Sequence, residues 1–154
     1  MTRVLVATDG SECAQHAAAE SVRLLGADHE YVVLTVSAMP AVAGTAAVTP
    51  AAEISLSADE INALDEAAND AAHLQVERTG ELLRSAGVGQ VQTTTVEGEP
   101  GMAICDAAKH LGADVIVVGN TGAGLFSRML TGSVSTYIVH HAECPVLVVR
   151  QRAE

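Results

Sequence analysis

Between residues 119 and 133 the chain reads Gly-Asn-Thr-Gly-Ala-Gly-Leu-Phe-Ser-Arg-Met-Leu-Thr-Gly-Ser, leaving one apolar run and entering a helix-like stretch. These residue types suit one kind of chemistry, the holding of an anion. Glycines let the backbone approach a phosphate closely, and consecutive N–H groups form a nest. A helix starting at Gly132-Ser133 adds unpaired donors and a partial positive charge. The Ser133 hydroxyl is one more donor for a phosphate oxygen. On the residues alone, a phosphate- or nucleotide-binding segment and a merely tight structural loop stand level.

Two familiar phosphate loops do not describe the segment. The Walker pattern needs a lysine before Ser/Thr, and no lysine follows Lys109. Gly122-Ala123-Gly124-Leu125-Phe126-Ser127 reads G-x-G-x-x-S, but it follows the fourth apolar strand instead of the first. It also lacks the acidic residue that a dinucleotide fold places after another strand.

Other reactive residue types are not arranged for catalysis. Cys13, Cys105 and Cys144 are odd in number, widely spaced and without a C-x-x-C pair. They imply neither a disulfide framework nor a zinc site, and they point to a reducing, cytoplasmic compartment. No histidine lies in sequence where it would activate Cys105 or Cys144, which read as packing residues. His16, His29, His73 and His110 form no H-E-x-x-H motif, and the adjacent His140 and His141 face different ways on a helix. Asp59, Glu60, Asp65, Glu66, Asp70 and Glu77 fall along one helix as a solvated face. With no prepared general base and no metal set, the expectation is a binding protein.

The elements that must position the glycine segment follow from apolar spacing. Arg3 to Ala7 is a buried strand ending in the turn Thr8-Asp9-Gly10-Ser11. Asp9 there either caps the next helix or meets a ligand. Ala14, Ala17, Ala18, Val22 and Leu25 give that helix its buried face, with Gly26 as its stop. Tyr31 to Val36 is a second buried strand, and residues 38 to 57 form a long connection. Ser57 and Glu60 then make a capping box for the longest helix, whose apolar stripe runs from Ile61 through Leu64, Ala68, Ala72, Val76 and Leu83 to Gly87. Val91 to Val96 is a third strand. Pro100 opens a helix closed by Gly112, 114 to 118 is a fourth strand, 132 to 141 a helix, and Pro145 to Val149 a fifth strand.

Strands alternating with helices predict an α/β fold, an open five-stranded parallel sheet with helices on both faces and right-handed crossovers. In such sheets ligands sit beyond the carboxyl ends of the strands, where the winding reverses. The ends of the first and fourth strands, at Asp9 and Gly119, are therefore the place to look.

Composition narrows the partners. The 154 residues fit one domain, 1–154, with 49% hydrophobic and 2% aromatic residues, which implies small side chains packed closely between helices and sheet. Eight basic against 19 acidic residues leave a net charge of −11, which repels nucleic acid and anionic membranes but not a single nucleotide held by backbone donors. The opening apolar stretch is too short for a signal peptide, and no run approaches the roughly 20 residues that span a bilayer.

Gly119-x2-Gly122-x9-Gly132-Ser133 resembles G-x2-G-x9-G-[ST], the ATP-binding signature of universal stress proteins. The blocks Val4-Leu5-Val6-Ala7-Thr8-Asp9-Gly10-Ser11, Ala113-Asp114-Val115-Ile116-Val117-Val118-Gly119, Gly132-Ser133-Val134-Ser135 and Cys144-Pro145-Val146-Leu147-Val148-Val149 are similar to that family in the same order. The resemblance implies a Rossmann-like fold of the adenine nucleotide alpha-hydrolase-like kind, with ATP, AMP or cyclic AMP as ligand and Mg2+ accompanying the phosphates. It implies that Thr8 and Asp9 meet the adenosine end, and that Val36 offers backbone groups to adenine. Gly119, Asn120, Gly122, Gly132, Ser133 and Val134 would surround ribose and phosphates. It also implies a homodimer through the last strand, and a nucleotide-dependent regulatory role in stress response. The alternative is a slow Mg-dependent ATPase or phosphotransferase. Two departures stand out: Asn120, Thr121 and Ala123 occupy places where relatives carry a basic residue, leaving Arg128 as the loop's cation, and Thr35 stands where relatives often have histidine.

Overall fold

The computed structural model describes residues 1–37, 57–120 and 132–151. Five strands, β1 (Arg3–Ala7), β2 (Glu30–Ser37), β3 (Gln90–Glu97), β4 (Val115–Gly119) and β5 (Val146–Val149), alternate with helices α1 (Glu12–Leu25), α2 (Ala58–Ser85), α3 (Pro100–Leu111) and α4 (Ser133–His141). All pairings are parallel, in the order β3-β2-β1-β4-β5. The open five-stranded parallel sheet expected from the alternation is the one observed, in the Rossmann-like α/β form that the resemblance implies.

Strand periodicity divides the core in two. Val4 and Val6 of β1 face α1 and α2, together with Ala17, Ala18, Val76 and Leu83. Leu5 and Ala7 face α3 and α4, together with Ile104, Ala108 and Ile138. Central strands are apolar on both faces because both faces are covered. The helices change sides because the order runs outward from β1 to β3 and then returns to β4 beside β1. With right-handed crossovers, reversing direction places the next helices on the opposite face. The switch point thus lies between the carboxyl ends of β1 and β4.

Local signals set the helix ends. Ser11 accepts from Ala14 N–H as N-cap of α1. Ser57 and Glu60 form the reciprocal capping box of α2. Gly112, in the left-handed region, closes α3. At the amino ends of the strands, Arg3 ties three elements together: its guanidinium pairs with Glu30 and reaches Leu111 O, and its main-chain N–H donates to Asp114.

The long helix departs from expectation in what it buries. Its buried residues are Ala72, Val76, Thr79, Gly80 and Leu83, all in the second half, while Leu64 is 59% exposed. Length is the reason. Twenty-eight helical residues extend about 42 Å, whereas an eight-residue strand covers about 26 Å. The first half of α2 therefore overshoots the sheet that covers the rest. The expected connection over 38–56, and the loop interior 121–131 with Gly122 and Arg128, lie outside the described residues.

Candidate functional site

The carboxyl ends of β1, β2 and β4 converge where the winding reverses. Thr8 leaves β1 with its polar groups engaged. Its N–H donates to Leu34 O at 2.9 Å, its carbonyl accepts from the Thr35 hydroxyl at 2.6 Å, and its own hydroxyl lies 3.2 Å from that of Thr79 and accepts from Gly10 N–H. Thr8 is 6% exposed. Its part is to fix the turn. Asp9, next in the chain, is exposed, and its carboxylate accepts from Ser11 N–H at 3.0 Å, so it shapes the entry to α1 while facing solvent. Gly10 has φ +77, and a Cβ there would fall 2.8 Å from Gln75 of α2, so both conformation and space require glycine.

Val36 owes its placement to strand geometry. Successive residues of a strand turn their N–H and C=O to alternate sides, because the extended backbone repeats every two residues. Leu34 O accepts from Thr8, so Leu34 faces β1, Thr35 faces β3, and Val36 again faces the β1 side. The β1 ladder stops at Ala7 opposite Leu34. The N–H and C=O of Val36 therefore stand on the edge that β1 has vacated, a donor and an acceptor side by side.

Gly119 ends β4, and its lack of a side chain has a reason beyond ligand access. A Cβ there would lie 2.8 Å from Cys13 Sγ and 3.2 Å from the Cys13 carbonyl carbon and oxygen. Helix α1 thus presses its first turn onto the end of β4. Asn120 follows, its N–H donating to Val149 O at 3.0 Å, its carbonyl accepting from Gly132 N–H at 2.7 Å, and its side-chain oxygen accepting from the Cys13 thiol at 3.3 Å. The Gly132–Asn120 bond returns the chain to β4 and sets the start of α4 beside the strand end.

Gly132 is the N-cap of α4 and supplies no capping side chain. Ser133 is exposed at the first position, Val134 is half-buried against the α3/α4-side core, and Ser135 turns its hydroxyl back to Gly132 O. Among the described residues no side chain caps the first N–H groups of α4, an arrangement that favours an anion. Of the residues singled out in the sequence, Thr8, Asp9, Val36, Gly119, Asn120, Gly132, Ser133 and Val134 lie on these converging segments, and Gly122 lies outside the described residues.

Sequence reasoning passed over three contributors, Cys13, Thr79 and Gln75. No spacing rule marks them, because each acts through a contact between distant segments. Thr35, where relatives often have histidine, has a part that the substitution alone does not reveal: its hydroxyl reaches both Thr8 O and the Gln75 amide. Cys105 and Cys144 are half-buried in the α3/α4-side core, and burial pushes both thiols up, away from the nucleophilic thiolate. Among the described residues no cluster of three or more His, Cys, Asp or Glu could hold a metal ion, and no helix is long and apolar enough to cross a membrane. An open groove of about 370 Å³ runs between α3 and the β2–β3 side of the sheet, lined by Leu34, Val96, Ala103 and His110 among others.

Comparison with known proteins agrees with this architecture. Universal stress protein Slr1101 of Synechocystis is 45% identical over 60 residues, 39% of this chain and 56% of that protein. Among three such curated relatives the matched stretches span between 33% and 56% of the relative's own length. Universal stress protein UspA from Lactobacillus plantarum superposes with a TM-score of 0.75 at 29% identity, covering 97% of both chains. The fold is also shared with a universal stress protein in complex with cAMP, at 24% identity, TM-score 0.67 and 96% of both chains. An Arabidopsis thaliana family protein with AMP bound shares it at 19% identity and TM-score 0.67, over 99% of this chain and 94% of that one. The universal stress protein family profile matches residues 1–150, nearly the whole chain, and the chain belongs to that family.

Proposed function

We propose that this protein binds an adenine nucleotide across the carboxyl ends of β1, β2 and β4 and acts as a nucleotide-dependent regulatory protein of the stress response. The observation that carries the reading is the 2.7 Å bond from Gly132 N–H to Asn120 O, which sets the side-chain-free start of α4 against the end of β4 at the switch point. A phosphate there meets helix N–H donors that have no intrahelical partner, an interaction worth up to about 2 kcal/mol in a partly buried setting. The Val36 N–H and C=O match the donor–acceptor edge of adenine, and Asp9 is placed to accept from adenine or ribose. Gly119, Asn120, Gly122, Gly132, Ser133 and Val134 surround ribose and phosphates. Mg2+ comes with ATP, held by its phosphates.

Related folds carry AMP in one case and cAMP in another. The loop of this chain has a single cation, Arg128, which favours such less charged ligands over a triphosphate. The bound state reports through a homodimer built on β5, whose outer side pairs with no strand among the described residues. The reading places the protein in the cytoplasm, where Cys13, Cys105 and Cys144 stay free, as they are in the structure.

Isothermal titration of purified protein with ATP (with and without Mg2+), AMP and cAMP tests the reading. Binding of at least one is expected, weakened by Asp9→Ala. The absence of heat and of any thermal shift at millimolar ligand would remove it.

A further inference from the structure

The Cys13 thiol and the Asn120 carboxamide oxygen lie 3.3 Å apart, with the thiol donating. Neither partner is free to move. Cys13 is buried in the first turn of α1, its sulfur pressed against the space a Gly119 Cβ would fill. Asn120 has its main chain held at both ends, by Val149 O and by Gly132 N–H. What remains undecided by the backbone is which edge of the carboxamide faces which way. The two edges are nearly equal in size and opposite in character, one accepting and the other donating two protons. In the structure the Cys13 S–H meets the oxygen edge. With Oδ1 turned to the thiol, the Nδ2 edge is the one left over, and among the described residues no hydrogen bond occupies it.

We infer that Cys13 is a positioning residue of the nucleotide site: its thiol holds the Asn120 carboxamide with the N–H edge available to a phosphate oxygen, making Asn120 a determinant of selectivity for nucleotide over nucleoside. The inference rests on the adenine-nucleotide reading above. A reversed carboxamide would offer lone pairs to the phosphate and oppose it. Because the donor is neutral, it suits a ligand of low charge, consistent with a loop whose cation is a single arginine.

AMP and adenosine are titrated calorimetrically against wild type, Cys13→Ala, Cys13→Ser and Asn120→Asp, with folding followed by thermal melts and the Asn120 side-chain amide by 15N NMR. Loss of one orienting hydrogen bond in Cys13→Ala is expected to weaken AMP by roughly three- to tenfold and leave adenosine within about twofold. Cys13→Ser supplies a hydroxyl donor and is expected to restore AMP binding to within about twofold of wild type. Asn120→Asp, which places a carboxylate before the phosphate, is expected to weaken AMP by more than about tenfold with adenosine unchanged. In the ligand-free protein the Asn120 amide resonances are expected to move in Cys13→Ala and return toward wild type in Cys13→Ser. An AMP-to-adenosine affinity ratio unchanged in folded Cys13→Ala and Asn120→Asp overturns the inference and leaves nucleotide binding standing. Equal loss of both ligands in folded Cys13→Ala assigns the residue a structural role only and overturns it as well. A wild type that binds neither compound removes the nucleotide reading and the inference together.

Discussion

The Thr35 hydroxyl donates to the carbonyl oxygen of Thr8 across 2.6 Å, joining the end of β2 to the end of β1 just beyond their last ladder pair, Ala7 and Leu34. Both residues are buried, at 2% and 6% exposure, so the bond is shielded from water. It holds the turn carrying Asp9 beside the backbone edge of Val36. Thr35→Val keeps the shape and removes the donor, leaving a buried carbonyl with no partner from that side. The expected cost is about 1–3 kcal/mol. Urea unfolding should show a lower midpoint with an unchanged slope, and adenosine affinity should fall in parallel. An unaltered midpoint would mean that Thr8 finds another donor.

Gly119→Ala should destabilise the fold even without ligand, because its Cβ would sit 2.8 Å from Cys13 Sγ. Overpacking of this kind costs about 1–3 kcal/mol. Cys13→Ala removes the sulfur but not the Cys13 carbonyl at 3.2 Å, so the double variant should recover only part of the loss. A double-mutant cycle of thermal or urea melts reads the coupling. Strict additivity would exclude this contact as the cause.

Gly101→Ala sets two effects against each other. Helix propensity alone favours alanine by about 1 kcal/mol. The new Cβ, however, would meet Tyr137 Cδ1 at 2.6 Å and Cβ at 2.9 Å, and a Cβ cannot swing away as a side-chain tip can. Net destabilisation of about 1–2 kcal/mol is expected as α3 and α4 are forced apart. Tyr137→Ala in the same chain removes the ring but keeps the Cβ at 2.9 Å, so it should relieve only part of the loss, and calorimetric melts of the single and double variants decide the matter.

The capping box of α2 should be acid-labile. Glu60 accepts from the Ser57 N–H at 2.7 Å and from its hydroxyl at 3.1 Å, and these bonds hold its carboxyl below the usual value. A lowered folded-state pKa means that the contribution is present above the unfolded value and lost as pH falls through the folded one. Hydrogen exchange at residues 57–61 should accelerate relative to the rest of α2 across that acid range. Glu60→Gln keeps the box but cannot titrate, so its exchange should lose this pH dependence.

Edge position makes β5 the test of assembly. Val148 is half-buried in the single chain, on a strand whose outer edge pairs with no strand among the described residues. Val148→Lys is expected to shift the protein from dimer to monomer in sedimentation velocity at tens of micromolar. A wild type that sediments as a monomer there would remove the dimer from the proposed function.

Element types and most boundaries were legible before any coordinates, because they depend on neighbours in the chain. Arg3–Ala7 matches its strand residue for residue, and Pro100, Gly112 and the Ser57–Glu60 box mark helix ends by backbone chemistry that operates within four residues. The parallel alternation followed from the same local reading, and right-handed crossovers carried attention to Asp9 and Gly119. The buried extent of α2 was not legible. An apolar stripe from Ile61 onward says which face would be buried, but only the length of the sheet decides where burial begins, and it begins at Ala72. The role of Gly119 was half visible. Its place in a glycine signature suggests room for phosphate, whereas the approach of Cys13, 106 positions away in the chain, supplies a packing reason that no spacing encodes. Thr35 and Thr8, like Cys13 and Asn120, meet only because the sheet order brings β2 and β4 to either side of β1. Hydrogen bonds between residues so far apart in sequence leave no periodic trace, and it was the tertiary structure alone that joined them.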